Sequence, residues 1–272
     1  MFIIIFNILM SIGLSVLSSF TFWKVNAPID FYKPLIIFIS SLIVLLGVWF
    51  IFLNLIGIFF DHKKINKVDR KIAHFFLYQG IQYINIHAGC RVKMVGRSRL
   101  PKNNQRFLFV CNHRSNFDPM LAYVLLKDYH IGFITKPSNF KIPMGGRLMK
   151  HLYFQGINRD DPLQSLEVMK KATQLMQDGV TSIGVFPEGT RSKDGKTMGE
   201  FHEGVFNIAI RSKKPIVVCS LNGTEKVHKR FPRPTKVQLH VLQTLNYEDY
   251  AGIPAKQICD NVKALIQEDL NK

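Results

Sequence analysis

Residues 111–119 read CNHRSNFDP and place an imidazole, His113, five positions before a carboxylate, Asp118. Histidine titrates nearest neutral pH. A carboxylate on one ring nitrogen fixes the tautomer and leaves the other nitrogen to take a proton. On a continuous helix the two side chains would lie about 140° apart and could not meet. In a strand-to-helix turn they can. Asp118 followed by Pro119 also reads as a helix start, with Asp118 at the N-cap and Pro119 at the first helical position. Spacing alone leaves two readings open: a cap beside an ordinary loop histidine, or a His–Asp dyad suited to general-base work.

A second cluster follows an apolar run. Residues 185–192 read VFPEGTRS and bring Glu188, Gly189, Thr190 and Arg191 onto one turn. Gly189 lets the backbone turn sharply and come close to a ligand. The Arg191 guanidinium and free backbone amides suit a phosphate. The bland alternative is a solvated turn with a surface arginine. Residues 156–161, GINRDD, place Arg159 at the end of another apolar run, where an ordinary surface ion pair with the neighbouring acids is the competing reading. Residues 214–220, KPIVVCS, read as a buried strand.

The elements that would carry these residues form a regular pattern. Short apolar runs at 92–95, 107–110, 131–135, 153–157, 182–186, 216–220 and 237–241 predict strands. Helical patterns at 119–126, 162–177, 205–212 and 254–270 alternate with them. Asp178-Gly179 predicts the end of the long helix, with Gly179 in the left-handed conformation. Strands interleaved with helices predict an α/β domain with a mostly parallel, mixed sheet flanked by helices, its chemistry at the strand ends.

In this order and spacing, NHRSNFD, GINR, FPEGTRS and KPIVV resemble the four motifs of the glycerolipid acyltransferases, and within them the branch of the 1-acyl-sn-glycerol-3-phosphate acyltransferases. The resemblance runs from about residue 92 to about 245, and GEFHEGVFNIAI at 199–210 fits the stretch expected after the third motif. It implies His113 as general base and Asp118 as its orienting partner. Glu188 and Gly189 would shape the acceptor site, and Arg159 and Arg191 would bind the acceptor phosphate, with Thr190 on the same turn. The implied reaction moves an acyl group from acyl-CoA or acyl carrier protein to a lysophosphatidic acid hydroxyl, with no cofactor beyond that co-substrate. Glycerol 3-phosphate or another lysophospholipid is the alternative acceptor. The chain departs from the family at KPSNF after β-run 131–135, at Val218 where a second proline is usual, and at His202-Glu203 where basic residues are common.

The remaining sequence predicts a setting for that chemistry. Residues 1–23 and 34–60 carry no charge, and both runs exceed the ~20 residues that span a hydrocarbon core. The first reads as apolar all round. Residues 1–60 are therefore expected to form two transmembrane helices, 61–90 a basic juxtamembrane segment with an amphipathic helix over 72–88, and 91–272 the acyltransferase domain. Residues 1–60 hold two Lys and one Asp, so nearly all of the +17 net charge lies beyond them. Lysines and arginines just after residue 60 place the main domain on the cytoplasmic face of the membrane and favour anionic lipid partners. No nucleic-acid module accompanies the charge, and no nucleic-acid partner is expected.

Cys90, Cys111, Cys219 and Cys259 show neither a CxxC pair nor zinc spacing, so neither metal nor disulfide is expected. Two rival functions compete with this reading. A Ser115- or Cys111-dependent hydrolase needs a triad that such close sequence neighbours of His113 form poorly. A non-catalytic lipid-binding scaffold needs no His–Asp pair at all.

Overall fold

A computed structural model describes residues 2–21, 32–59, 67–102, 105–143, 145–192 and 197–272 of the 272-residue chain. The basic run at 61–66 lies outside the described residues.

Seven strands make one sheet: β1 Cys90–Val95, β2 Leu108–Cys111, β3 Ile131–Thr135, β4 Gln155–Gly156, β5 Ser182–Val185, β6 Ile216–Asn222 and β7 Thr235–Leu245. Their spatial order is β1-β7-β6-β2-β5-β3-β4. Every neighbouring pair is parallel except β6 and β7. The strand run predicted at 153–157 shortens to two residues, because Tyr153 sits in the left-handed region at φ 64° and cannot continue an extended chain.

Buried apolar side chains on both faces explain the uninterrupted apolar strands. Along β2, Phe109 and Cys111 enter one core layer, while Leu108 and Val110 enter the other. The first layer is closed by α3 Lys67–His87, α4 Phe117–Leu125 and α5 Gly145–His151. The second is closed by α6 Pro162–Gln177, α7 Asn207–Ser212 and α10 Ala255–Leu270. The short helices α8 Val227–Arg230 and α9 Tyr247–Tyr250 bracket β7. Helix α6 starts as its sequence demands, with Asp161 accepting from the Gln164 amide and Pro162 following. It ends with Gly179 at φ 66°.

The N-terminal helices α1 Phe2–Thr21 and α2 Tyr32–Phe59 form an antiparallel hairpin. Ser15 Oγ donates to the Pro34 carbonyl (2.7 Å), and Phe6 meets Trp49 edge to face. Helix α2 is about 42 Å long at 1.5 Å per residue, and its Tyr32–Trp49 stretch is long and apolar enough to cross a membrane. Helix α1 is not apolar all round, contrary to the sequence expectation. Asn7, Ser11 and Ser15 recur every fourth residue and are turned inward, a polar stripe on an otherwise lipid-like helix. The hairpin meets the sheet domain where α1 packs on α3 and α2 on α5.

Candidate functional site

In a parallel sheet, loops leaving the carboxyl ends of adjacent strands converge. The chain exploits this at the centre. Strand β2 lies between β6 and β5, and the loop after β2 carries His113. The loop after β5 carries Glu188 to Arg191, and that after β4 carries Arg159.

His113 Nδ1 lies 2.8 Å from Asp118 Oδ2. A carboxylate oxygen only accepts, so Nδ1 carries the proton and donates it to Asp118. Nε2 is then the basic nitrogen, and it has no protein partner among the described residues. The same Oδ2 accepts the backbone N–H groups of Arg114 (2.5 Å) and Ser115 (2.6 Å). Asp118 is fully buried, whereas the His113 side chain keeps 18 % exposure. Asp118 Oδ1 is buried with no partner among the described residues, so the hydrogen bonding is concentrated on the oxygen that holds the imidazole.

Asp118 is not the N-cap. Helix α4 begins at Phe117 after Asn116, which places Asp118 in the first helical turn. Its carboxylate folds back onto the preceding loop instead of capping forward. A negative charge at this position is also favoured by the helix dipole.

The His113 ring stacks on Phe186, with centroids 4.7 Å apart. Its backbone is bound at both ends by the 188–192 turn. The His113 N–H donates to Glu188 Oε1 (2.6 Å), and the His113 carbonyl accepts from the Ser192 N–H (2.9 Å). The other Glu188 oxygen accepts from the Gly199 N–H (2.8 Å). Burial raises the Glu188 carboxyl above its ordinary range, and the amide bonds from Gly199 and His113 pull against that rise. Glu188 is thus a buried clamp between the loop after β2 and two stretches of the loop after β5 rather than an open contact for a ligand.

Gly189 adopts φ 68°, and a Cβ there would meet the His202 ring at 3.0 Å and the Arg159 guanidinium carbon at 3.6 Å. Arg159, distant in sequence, is therefore brought beside the Gly189 turn. Thr190 and Arg191 are exposed at its tip, and their amides donate to nothing among the described residues. Together these groups form an open, cationic turn one strand away from His113, suited to an anion.

Several contributors escaped sequence reasoning. Asn112 exchanges two hydrogen bonds with the backbone of Leu221 and fixes the β2 loop to β6. Phe186 and Gly199 act through contacts that no local spacing announces. Neither rival nucleophile is set up to act. Cys111 is buried and its thiol is pushed well above the ordinary range by that burial. Ser115 is buried, and its hydroxyl oxygen accepts from the Phe117 N–H.

A mostly parallel α/β domain with a polar, half-open cluster at the carboxyl ends of its central strands belongs to the enzyme-like α/β folds. Residues 91–222 match the family model described as Acyltransferase, so this part of the chain carries a domain of that family. Among curated relatives, it is 30% identical over 204 residues to the chloroplastic 1-acyl-sn-glycerol-3-phosphate acyltransferase BAT2 of Brassica napus, covering 74% of this chain and 57% of that protein. It is 28% identical over 204 residues to the chloroplastic enzyme LPAT1 of Arabidopsis thaliana, covering 74% of this chain and 55% of that one. The chain thus spans little more than half the length of these relatives. Its fold is that of the crystal structure of the 1-acyl-sn-glycerophosphate (LPA) acyltransferase PlsC from Thermotoga maritima. The TM-score is 0.64 at 22% identity, over 82% of this chain and 88% of that one.

Proposed function

We propose that the chain transfers an acyl group from an acyl thioester to the sn-2 hydroxyl of 1-acyl-glycerol-3-phosphate, yielding phosphatidic acid. The names of the relatives supply the substrate class. The observation that carries the chemistry is the His113–Asp118 pair, whose Nε2 has no protein partner among the described residues while the 188–192 turn grips the His113 backbone.

In this reading Nε2 takes the hydroxyl proton as the acceptor oxygen attacks the thioester carbonyl. Asp118 stabilises the imidazolium through Nδ1–H. The C–S bond then breaks, and the departing thiolate receives the proton from Nε2. No enzyme nucleophile and no cofactor is consumed, because the acceptor oxygen itself attacks. Arg159, Arg191 and the amides after Gly189 hold the acceptor phosphate beside the base. Thr190 lines the same turn, and Glu188 keeps turn and base in register.

The three-part organisation is part of the proposal. Residues 1–60 anchor the chain in the membrane, with α2 crossing it, 61–90 lie along its basic cytoplasmic surface, and 91–272 perform the transfer there. Membrane lipids supply the acceptor.

The test is acyl transfer to lysophosphatidic acid by membranes bearing the full chain. Arg191→Ala is expected to raise the acceptor KM about tenfold through loss of a charge-assisted contact, leaving the donor KM unchanged. Equal changes in both constants would refute the phosphate assignment.

A further inference from the structure

A second cationic feature flanks His113 on the side away from Arg159 and Arg191. Because β2 lies between β5 and β6, the loops after those two strands stand on opposite flanks of the catalytic loop. The loop after β5 is the anion-binding turn just described. The connection after β6, residues 223–234, projects past the same edge of the sheet before returning as β7. It is tied to the catalytic loop at two points. Arg114 donates to Asn222 Oδ1 (3.3 Å) at its root, and the His228 ring packs on Phe117 (5.0 Å between centroids) at the start of α4.

This connection carries Lys226, Lys229, Arg230 and Arg233 against one acid, Glu225. Glu225 is largely buried and lies 3.9 Å from Lys226. Among the described residues no carboxylate pairs with Lys229, Arg230 or Arg233. Between the two arginines, Phe231 stands 64% exposed, although burial is what an aromatic ring ordinarily gains from. At the foot of the lobe Arg91 and Lys236 are register partners on adjacent strands, and both are exposed. Like charges opposite one another on a sheet repel. An anion beside them relieves that repulsion.

We propose that this lobe holds the phosphoadenosine diphosphate end of a coenzyme A thioester, which makes coenzyme A the carrier of the acyl donor. The inference rests on the acyl-transfer reading above. Both substrates of that reaction are anions, yet the hydroxyl of one and the thioester of the other must meet at a single Nε2. Placing their phosphates on opposite flanks of His113 lets the reacting ends converge while the charged ends stay apart. Guanidinium forks suit phosphates, and an exposed ring among them suits a purine face. The pantetheine arm spans from the lobe to the base. An acidic carrier protein would meet the same charges with carboxylates, but it offers no flat base to Phe231.

The experiment uses the purified full chain with palmitoyl-CoA and palmitoyl-pantetheine as alternative donors. In the combined variant Lys229→Gln, Arg230→Gln, Arg233→Gln, the KM for palmitoyl-CoA is expected to rise about tenfold or more. The KM values for palmitoyl-pantetheine and lysophosphatidic acid should stay within about twofold of wild type. Phe231→Leu, a milder change at an exposed position, should raise the palmitoyl-CoA KM alone by about threefold. Equal effects on both donors would overturn the assignment. So would a larger kcat/KM with an acyl carrier protein donor that the same variant abolishes. Loss of binding to phosphatidylglycerol vesicles with donor constants unchanged would reassign the lobe to the lipid surface. If wild type transfers no acyl group from any donor, the acyl-transfer reading fails. Calorimetry with coenzyme A and with pantetheine then decides the site separately: binding of coenzyme A that the variant loses supports it, and no binding by wild type overturns it.

Discussion

Two histidine–carboxylate pairs in this molecule share almost the same contact and differ in everything around it. His113 Nδ1 lies 2.8 Å from Asp118, and His240 Nδ1 lies 2.9 Å from Asp269. Asp118 is fully enclosed and receives two further backbone N–H bonds on the same oxygen. Asp269 keeps 18 % of its side chain exposed, and its oxygen is shared with the Ser220 hydroxyl. The first pair sits on a loop at the carboxyl end of a central strand, gripped from both sides by the 188–192 turn. The second joins β7 and β6 to the last turn of α10, where it fastens the C-terminal helix to the sheet. A short His–Asp distance therefore does not by itself mark a base. What marks it is a carboxylate locked by its own backbone and an imidazole whose other nitrogen has no partner among the described residues, beside a turn that exposes Thr190 and Arg191.

That contrast can be broken at several points. Asp118→Asn should produce the largest effect, since the amide favours the wrong tautomer and removes the charge that supports the imidazolium. A fall in kcat of about 10²–10⁴-fold is expected from the usual worth of general-base catalysis, measured as transfer to lysophosphatidic acid. Glu188→Gln comes next. The replacement amide can accept only one of the two backbone N–H groups, so the His113 backbone loses part of its grip. A kcat loss of up to about 10²-fold follows from misplacing the base, with the acceptor KM little changed. A rise confined to the acceptor KM would instead make Glu188 a ligand contact and end the clamp interpretation. Asp269→Asn stands at the small end. Activity should remain within about twofold, while loss of the α10 fastening costs about 1–3 kcal/mol of stability. Thermal unfolding would read this as a drop of several degrees.

The dyad was legible because both members lie on one short stretch, and the strand–turn–helix pattern around them is local. The sheet class was legible for the same reason: alternating apolar runs and helical patterns are read residue by residue. Three things were not. Asp118 before Pro119 leaves a cap and a dyad partner equally open in the sequence, yet its carboxylate takes three donors from the preceding loop and does not cap the helix. Glu188 looked like an acceptor-site acid, since nothing in FPEGTRS announces that both its oxygens are consumed by His113 and Gly199, residues far away in sequence. The antiparallel β6–β7 pairing, like the His240–Asp269 fastening, depends on which strands become neighbours, a decision made by packing rather than by spacing. The polar stripe of α1 was visible at positions 7, 11 and 15, but it becomes meaningful only when α2 covers it.

The most direct test sets His113→Ala beside His240→Ala in one assay of acyl transfer to lysophosphatidic acid, with both variants shown to be folded. The two substitutions remove the same ring from nearly the same contact. His113→Ala should lose activity by about 10²-fold or more, and His240→Ala should keep it within about twofold. Comparable activity in the two variants, or a greater loss in His240→Ala, would contradict the assignment of His113 as the base.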